Sequence, residues 1–389
     1  MFSDRTNWKL AHNRFTQALE EVRAAGAKIL DLTLSNPTRA GLQYDEPAIL
    51  DALATGRALD YDPQPKGLRH AREAVATYYA EAHAIRELNP DNLVLTTSTS
   101  EGYSYVFRLL CNAGDELLIP KPSYPLFEFL ADLQDVKLVP YPLIYDHGWQ
   151  IDFPTLEKAV SVHTRGVVLV HPNNPTGSYV HPEETRCLNA LCRHHGLALI
   201  VDEVFLDYAY DSQPRSSFAA NQDVLTFTLS GLSKISGLPQ MKVAWIASSG
   251  PQASVTAAIE LLEVIADTYL SMNAPVQWAT PVLLEQRKSV QQQLLARMKA
   301  NLAELDKQLA RQKSCQRLSL EGGWYAVLRV PVIQSDEELA IELLQKKSVL
   351  VHPGHFYDFP SDGYVVLSLI TPEPEFREGI SRLLAIFNS

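Results

Sequence analysis

Lys234 is the residue of this sequence whose surroundings best suit it for chemistry. It follows a short apolar segment, residues 224–229, and lies among small polar residues and glycines such as Ser233 and Gly237. A lysine on a glycine-containing turn after a strand can point into a pocket, where burial disfavours the charged form of the amine. The neutral amine is a nucleophile. A lysine beside serine and glycine is more often a solvated loop residue, so the hypothesis depends on the rest of the chain.

Three other polar segments follow apolar segments in the same way. Residues 96–101 (TTSTSE) join a strand to a helix, and the free N–H groups of a helix N-terminus, with several hydroxyls, can bind a phosphate. The alternative is that Ser100 only caps the helix. Residues 171–177 (HPNNPTG) form a rigid loop whose side-chain amides can point to one place. Tyr124 follows the strand of residues 116–119, where its ring can stack on a flat ligand or pack on its own loop.

Asp202 adds a carboxylate to this set. It ends a continuous apolar segment, residues 197–202 (LALIVD), and a carboxylate in such a place needs a cationic partner or strong hydrogen-bond donors. The alternative is a structural salt bridge. A phosphate site, a stacking ring, an amide, a buried carboxylate and a lysine are together the partners that pyridoxal phosphate needs.

The order and spacing of these motifs resemble the class I/II aminotransferases of the fold-type I pyridoxal phosphate enzymes. The resemblance is carried by HPNNPTG, by the VDE of residues 201–203 and by the Ser233–Lys234 pair, and it covers residues 30–380. It implies a pyridoxal 5'-phosphate-dependent aminotransferase. Such an enzyme moves an amino group between an amino donor and a 2-oxo acid by a ping-pong Schiff-base mechanism through Lys234.

The resemblance also implies a role for each matching residue. Lys234 forms the Schiff base and moves the proton, while Asp202 keeps the pyridine nitrogen of the cofactor protonated. The other implied cofactor-binding residues are Ser98, Thr99, Ser100 and Lys242 at the phosphate, Asn174 at the phenolic oxygen, Tyr124 over the ring and Tyr61 at the phosphate of a neighbouring subunit. Tyr61 therefore implies a homodimer. The implied substrate-binding positions are Ser35, Asn36 and Val366.

Four positions depart from the family pattern. Phe205 stands where a tyrosine usually donates a hydrogen bond to the phenolic oxygen, so Asn174 would carry more of that role. Lys242 replaces an arginine, which keeps the charge but loses the bidentate geometry. Ser35 replaces a glycine of the substrate loop. The fourth departure is Val366.

Val366 occupies the position of the arginine that binds the substrate's α-carboxylate in the family. Valine can bind no anion, so either another cation replaces the arginine or the substrate is not an ordinary α-amino acid. Arg39 and His355 are the candidate replacements. We therefore expect weak activity with aspartate and glutamate.

The elements that must position these residues alternate between helix and strand. Strands apolar on both faces, with helices between them, indicate an α/β fold with a mainly parallel sheet covered on both sides. Ligands bind such sheets at the carboxyl ends of the strands. The family resemblance implies a seven-stranded-type sheet in a large αβα cofactor domain, residues 45–275. Residues 1–44 and 276–389 would form a smaller α+β domain, in which residues 1–30 are helical.

The composition narrows the class of protein further. A chain of 389 residues with a net charge of −11 argues against nucleic acid or an anionic membrane surface as a partner. No window approaches 18 apolar residues, and residues 1–15 lack the apolar stretch expected of a secretory signal. Four cysteines without C-x-x-C spacing are typical of reduced core thiols. We therefore expect a cytoplasmic protein that binds small molecules, and no metal site is predicted.

The sequence is compatible with two alternative functions. A β-elimination lyase or a decarboxylase on the same fold would use the same cofactor site. A cofactor-binding protein without enzymatic activity would be expected to lack a catalytic group, whereas Lys234 and Asp202 are both present. The sequence does not identify the substrate.

Overall fold

The structure is a computed structural model that describes residues 2–8, 13–211, 213, 215–270 and 272–387. Its helices are α1 (Arg14–Ala24), α2 (Glu46–Leu53), α3 (Arg69–His83), α4 (Thr99–Leu110), α5 (Phe127–Asp132), α6 (Phe153–Ala159), α7 (Pro182–His195), α8 (Leu232–Ile235), α9 (Gln252–Tyr269), α10 (Ala274–Glu285), α11 (Arg287–Leu309), α12 (Asp336–Lys347) and α13 (Glu373–Leu384). Its strands are β1 (Leu30–Asp31), β2 (Leu93–Thr96), β3 (Glu116–Lys121), β4 (Lys137–Tyr145), β5 (Trp149–Ile151), β6 (Thr164–Val170), β7 (Ala198–Asp202), β8 (Thr226–Gly231), β9 (Ala244–Ser249), β10 (Gln316–Arg317), β11 (Tyr325–Arg329), β12 (Val349–Leu350), β13 (His352–Pro353) and β14 (Tyr364–Ser368).

The large sheet has the strand order β2-β9-β8-β7-β6-β3-β4-β5. The neighbours from β8 to β4 are parallel, whereas β9 is antiparallel to both β2 and β8, and the short edge strand β5 is antiparallel to β4. The prediction of an α/β fold with a mainly parallel sheet is therefore confirmed. Strand β9 was not expected from the sequence.

Both faces of the large sheet are covered by helices, as its apolar strands require. Val168 of β6 packs into a buried cluster with α4, α5 and α9, while its neighbour Val167 faces a separate cluster with α6 and α7. Successive side chains of a strand point to opposite faces. Burial on both faces explains why these strands lack polar residues at alternate positions.

The second sheet is antiparallel, with the order β10-β11-β14-β13, and a short parallel pair of β1 and β12 lies apart from it. Its buried cluster combines side chains of α1 with those of α11, α12 and α13. The chain's N-terminal and C-terminal parts therefore share one core, and α1 packs directly against α12. No helix among the described residues is long and apolar enough to cross a membrane.

The N-terminal helix is shorter than the sequence predicts. The α-helix begins after Asn13, whose side-chain oxygen accepts a hydrogen bond from the N–H of Thr16 at 2.8 Å, and it ends before Gly26, whose φ of 72° does not continue a helix. Residues 4–6 form only a 3₁₀ turn. The remaining part of the predicted helix, residues 9–12, lies outside the described residues.

Candidate active site

A cavity of about 360 Å³ lies where the loops after the parallel strands meet the second sheet. Several elements of the large sheet and its helices contribute: the end of β7, helix α8, the N-terminus of α4 and the loops after β3 and β6. The lining residues are Ser35, Thr99, Ser100, Tyr103, Tyr124, Pro125, Leu130, Val170, Asn174, Asp202, Val204, Phe205, Ser233, Lys234, Tyr325, His352 and Tyr357. Six residues of the predicted cofactor site thus lie around one cavity, together with the predicted substrate residue Ser35.

Lys234 lies in the short helix α8, directly after β8. Its Nζ donates a hydrogen bond to the carbonyl oxygen of Ser35 at 3.3 Å and lies 4.7 Å from the ring centre of Trp324. The backbone carbonyl of Lys234 accepts a 2.6 Å hydrogen bond from the hydroxyl of Tyr208, which holds the segment in place. Burial lowers the pKa of Lys234 to about 8, and the nearby charge of Asp202 opposes that shift. A sizeable fraction of the amine is therefore neutral near physiological pH.

Asp202 is buried at the carboxyl end of β7. One carboxylate oxygen accepts a hydrogen bond from the hydroxyl of Tyr103 and the other from the N–H of Val204, each at 3.1 Å. Burial raises its pKa to about 6, while these two donors and Lys234 lower it. The carboxylate is therefore mainly ionised at pH 7. Each carboxylate oxygen keeps a free lone pair that can accept a further hydrogen bond from a cationic N–H group.

The two asparagines of the HPNNPTG loop have different tasks. Asn173 builds the loop, because its amide donates to the Pro122 carbonyl at 3.1 Å and to the Thr176 hydroxyl at 2.9 Å. Asn174 lines the cavity, and its buried Oδ1 has no hydrogen-bond partner among the described residues. Since buried polar groups are normally paired, the unpaired Oδ1 of Asn174 marks a place for a hydrogen-bond donor of a ligand.

The N-terminus of α4 is both a capped helix end and part of the cavity wall. Ser98 is the cap, because its hydroxyl accepts a 3.2 Å hydrogen bond from the N–H of Glu101. Thr99 and Ser100 line the cavity. The capping role considered for Ser100 therefore belongs to Ser98, which is not among the lining residues.

Of three further predicted cofactor residues, one lines the cavity and two do not. Tyr124 lines it, with its ring edge-on to Phe127 at a centroid distance of 6.0 Å. Lys242 is exposed and lies two residues before Ala244, whose backbone pairs with Thr96 at the end of β2. Its side chain does not line the cavity. Tyr61 is 80% exposed and lies at a different, smaller cavity next to α9.

The predicted substrate residues are spread over the second sheet and the loop after β1. Ser35 lines the cavity, whereas the side chain of Asn36 accepts hydrogen bonds from the N–H and hydroxyl of Thr38 at 3.1 and 2.8 Å and does not line it. Val366 is completely buried in β14. The candidate replacements for the missing arginine, Arg39 and His355, are both exposed and do not line the cavity.

The sequence pointed neither to Tyr103 of α4, which donates to Asp202, nor to three lining residues of the second sheet and its following turn: Tyr325, His352 and Tyr357. These three come from β11, from β13 and from the turn that follows β13. No local motif marks them, because only the pairing of β13 with β14 brings His352 beside Val366. Phe205, which stands where the family has a tyrosine, packs edge-on against Trp324 with a ring-centroid distance of 5.3 Å.

The sheet order, the small antiparallel sheet and the cavity between them define the fold of the fold-type I pyridoxal phosphate enzymes. Two solved structures share it. The alanine aminotransferase from Pyrococcus furiosus superposes with a TM-score of 0.90 at 21% sequence identity, over all of both chains. A double mutant of the aspartate aminotransferase from Thermus thermophilus gives 0.87 at 21%, over 99% of each chain. At such identities these similarities establish the fold alone.

The sequence comparisons identify the family. The model of the family "Aminotransferase class I and II" matches residues 14–383, and the chain belongs to this family. It is 28% identical over 378 residues to an alanine aminotransferase of Mycobacterium tuberculosis, covering 94% of this chain and 87% of that protein. It is also 28% identical over 368 residues to a glutamate-pyruvate aminotransferase of Haemophilus influenzae, covering 92% and 90%. The protein is an aminotransferase, and its family uses pyridoxal phosphate.

The cavity fits this cofactor. Its volume of about 360 Å³ is in the range of small-molecule sites. The unpaired Asn174 amide and the buried Asp202 carboxylate are ready for polar partners. Helix α4 has 12 residues and presents its N-terminus to the cavity, where free N–H groups favour an anionic group such as phosphate.

Proposed function

We propose that this aminotransferase moves an amino group between an amino donor and a 2-oxo acid in a ping-pong reaction carried by Lys234. The observation behind the proposal is that the Lys234 amine and the buried Asp202 carboxylate line one cavity. The low pKa of Lys234 supplies the neutral amine that a covalent link to the cofactor needs. The pKa of Asp202, about 6, lies below physiological pH, so its carboxylate remains mainly ionised where part of the Lys234 amine is neutral.

Pyridoxal phosphate, when bound, supplies an aldehyde that captures amines and a ring that withdraws electrons from the attached carbon. The protein's own groups do the remaining work. Lys234 Nζ holds the cofactor and then takes up and returns the proton. Asp202 would keep a proton at the pyridine nitrogen, and the side-chain NH2 group of Asn174 would donate to the phenolic oxygen. Tyr124 covers the ring.

The phosphate would be held at the N-terminus of α4. Support comes from the hydroxyls of Thr99 and Ser100, which line the cavity. Ser98 would act through the backbone that it caps, since its hydroxyl is already bonded to the Glu101 N–H. Lys242 lies at the same edge of the sheet, and its exposed ammonium makes no ion pair with a described residue. A cation in this position is free to turn towards a phosphate.

The direct test is the amino-donor half-reaction. Holoprotein mixed with a stoichiometric amino acid and no acceptor should accumulate the aminated cofactor and an equal amount of 2-oxo acid. A keto acid added afterwards should restore the starting absorbance, because the two half-reactions are separate. A lyase or decarboxylase would release its product without leaving the amino group on the cofactor, so an unchanged cofactor spectrum with turnover would contradict the proposal.

We also propose that the active species is a homodimer in which Tyr61 reaches the phosphate of the partner. Tyr61 is 80% and Leu59 is 90% exposed. The cavity beside Tyr61 is partly lined by Leu270, which is itself 58% exposed. Exposed apolar side chains that share a surface cavity, as those of Tyr61 and Leu270 do, are typical of an interface. A second copy of the chain would cover them.

Substitutions of Tyr61 should separate assembly from phosphate binding. Tyr61→Phe removes only the hydroxyl and should weaken cofactor binding about 10- to 100-fold, the usual worth of a hydrogen bond to a charged group, while the dimer persists. Tyr61→Ala also removes the ring and should weaken the dimer. Sedimentation and cofactor titration measure the two effects. An active monomer, or a Tyr61→Phe variant with unchanged cofactor affinity, would contradict this proposal.

A further inference from the structure

Substrates with a carboxylate must find hydrogen-bond donors in this cavity, since an unpaired buried carboxylate is strongly unfavourable. Among the described lining residues, the charged side chains are those of Lys234 and Asp202. The proposed function assigns both to the cofactor, and it assigns Thr99 and Ser100 to the phosphate. The donors for a substrate carboxylate must therefore come from another part of the wall.

The second sheet provides that part of the wall. Val366 of β14 lies directly opposite His352 on one side and Val327 on the other, and residues opposite each other in a sheet have their side chains on the same face. Tyr325, two residues before Val327, shares this face as well. His352 and Tyr325 reach the cavity, whereas Val366 is completely buried.

His352 has one ring nitrogen in use and one available. Its Nδ1 lies 2.9 Å from the hydroxyl of Tyr357, and its Nε2 makes no hydrogen bond with any described residue. Burial lowers the pKa of His352 to about 4, against an opposing effect of the charge on Asp31. The imidazole is therefore neutral near pH 7 and carries a single N–H. When the Tyr357 hydroxyl donates to Nδ1, that proton is on Nε2.

The neighbouring hydroxyl groups are those of Tyr325 and Tyr357. Burial raises the pKa of Tyr325, against a smaller effect of a side-chain hydrogen bond with Ser35. The carbonyl of Ser35 in turn accepts from Lys234 Nζ. The Tyr357 hydroxyl is already bonded to His352. Nε2 of His352 has no partner among the described residues, and the Tyr325 hydroxyl on the same sheet face is the second candidate donor on this part of the wall.

We propose that His352, held by Tyr357, binds the carboxylate of the amino donor and of the 2-oxo acid through Nε2–H. The inference rests on the proposed function and names the substrate contact of the same site. A neutral imidazole offers one hydrogen bond, whereas a guanidinium offers two and a full charge. The His352 contact therefore favours substrates with a carboxylate less strongly than an arginine would. A substrate with a neutral hydroxyl group in place of the carboxylate loses less affinity than it would at an arginine.

The test compares substrates that differ only in the carboxylate. Alanine and alaninol serve as donors in the half-reaction, and propionate and propionamide serve as non-reacting ligands of the holoprotein in calorimetry. His352→Leu should raise the KM for alanine and the Kd for propionate about 10- to 100-fold. The values for alaninol and propionamide should change less than about twofold. His352→Gln keeps an N–H donor and should retain most of the affinity for propionate.

His355→Leu is the matched control, because this exposed histidine lies on the same segment outside the cavity. It should change none of the four values. Equal losses for alanine and alaninol in His352→Leu, or an unchanged Kd for propionate, would overturn the proposal. If no donor aminates the cofactor while propionate binding still depends on His352, the amino-transfer proposal fails and the carboxylate contact stands.

Discussion

Lys234→Ala is expected to lower the kcat of amino transfer by more than about 10⁴-fold. A single positioned proton-transfer group contributes roughly 10²–10⁴-fold, and alanine removes this group together with the covalent link to the cofactor. The effect should be local, because the hydrogen bond that holds the segment is made by the backbone carbonyl of Lys234 to Tyr208. Circular dichroism and the thermal midpoint of the variant should therefore remain close to those of the wild type.

Two matched variants make this prediction specific. Lys234→Arg keeps the length and the cation, but a guanidinium does not lose its proton in a protein, so it should be as inactive as the alanine variant. Lys242→Ala removes an exposed lysine eight residues later and should weaken cofactor binding without breaking the covalent link. Borohydride reduction followed by peptide mapping should find the pyridoxyl group on Lys234. An adduct on Lys242, or an active arginine variant, would refute the assignment.

The parallel part of the fold could be predicted because its strands are apolar on both faces. Residues 197–202 illustrate this, since burial on both sides removes polar residues from the strand. Strand β9 could not be predicted in the same way. It pairs with β2 and β8, which are far from each other in sequence, and its direction follows from those long-range contacts. The N-terminal helix was predicted too long because apolar spacing alone does not locate the end of a helix, which here lies just before Gly26 with its positive φ.

Some residues of the candidate site could likewise be predicted from the sequence, and others could not. Lys234, Asp202 and the HPNNPTG loop follow strands that could be located, so their convergence at the carboxyl ends of the sheet could be expected. Which asparagine builds the loop and which one lines the cavity depends on the hydrogen bonds of Asn173. The position of His352 depends on the register of two short strands. Register and side-chain pairing are tertiary properties that no local motif contains.

Asp202→Ala is the second substitution with a very large expected effect on turnover. The variant should still bind the cofactor covalently through Lys234, but the carboxylate that keeps a proton at the ring nitrogen is gone. The electron withdrawal on which the reaction depends then falls, so the loss in kcat should exceed the roughly 10²–10⁴-fold of one proton-transfer group. Asp202→Asn keeps the shape and should be nearly as impaired, because an amide bears no negative charge to hold that proton.

Glu203 offers the matched control, because it is the adjacent residue and its carboxylate is also buried. Its oxygens accept hydrogen bonds from the Ser217 hydroxyl and the Phe218 N–H, both at 2.6 Å, and it does not line the cavity. Glu203→Gln can keep both contacts, so its kcat should stay within a few-fold of the wild type, with any effect appearing in the thermal midpoint. The measurement is kcat for all three variants in protein with a verified covalent link. Near-normal turnover in Asp202→Ala, or equal losses in Asp202→Asn and Glu203→Gln, would mean that another group orients the cofactor and that the buried Asp202 carboxylate is structural.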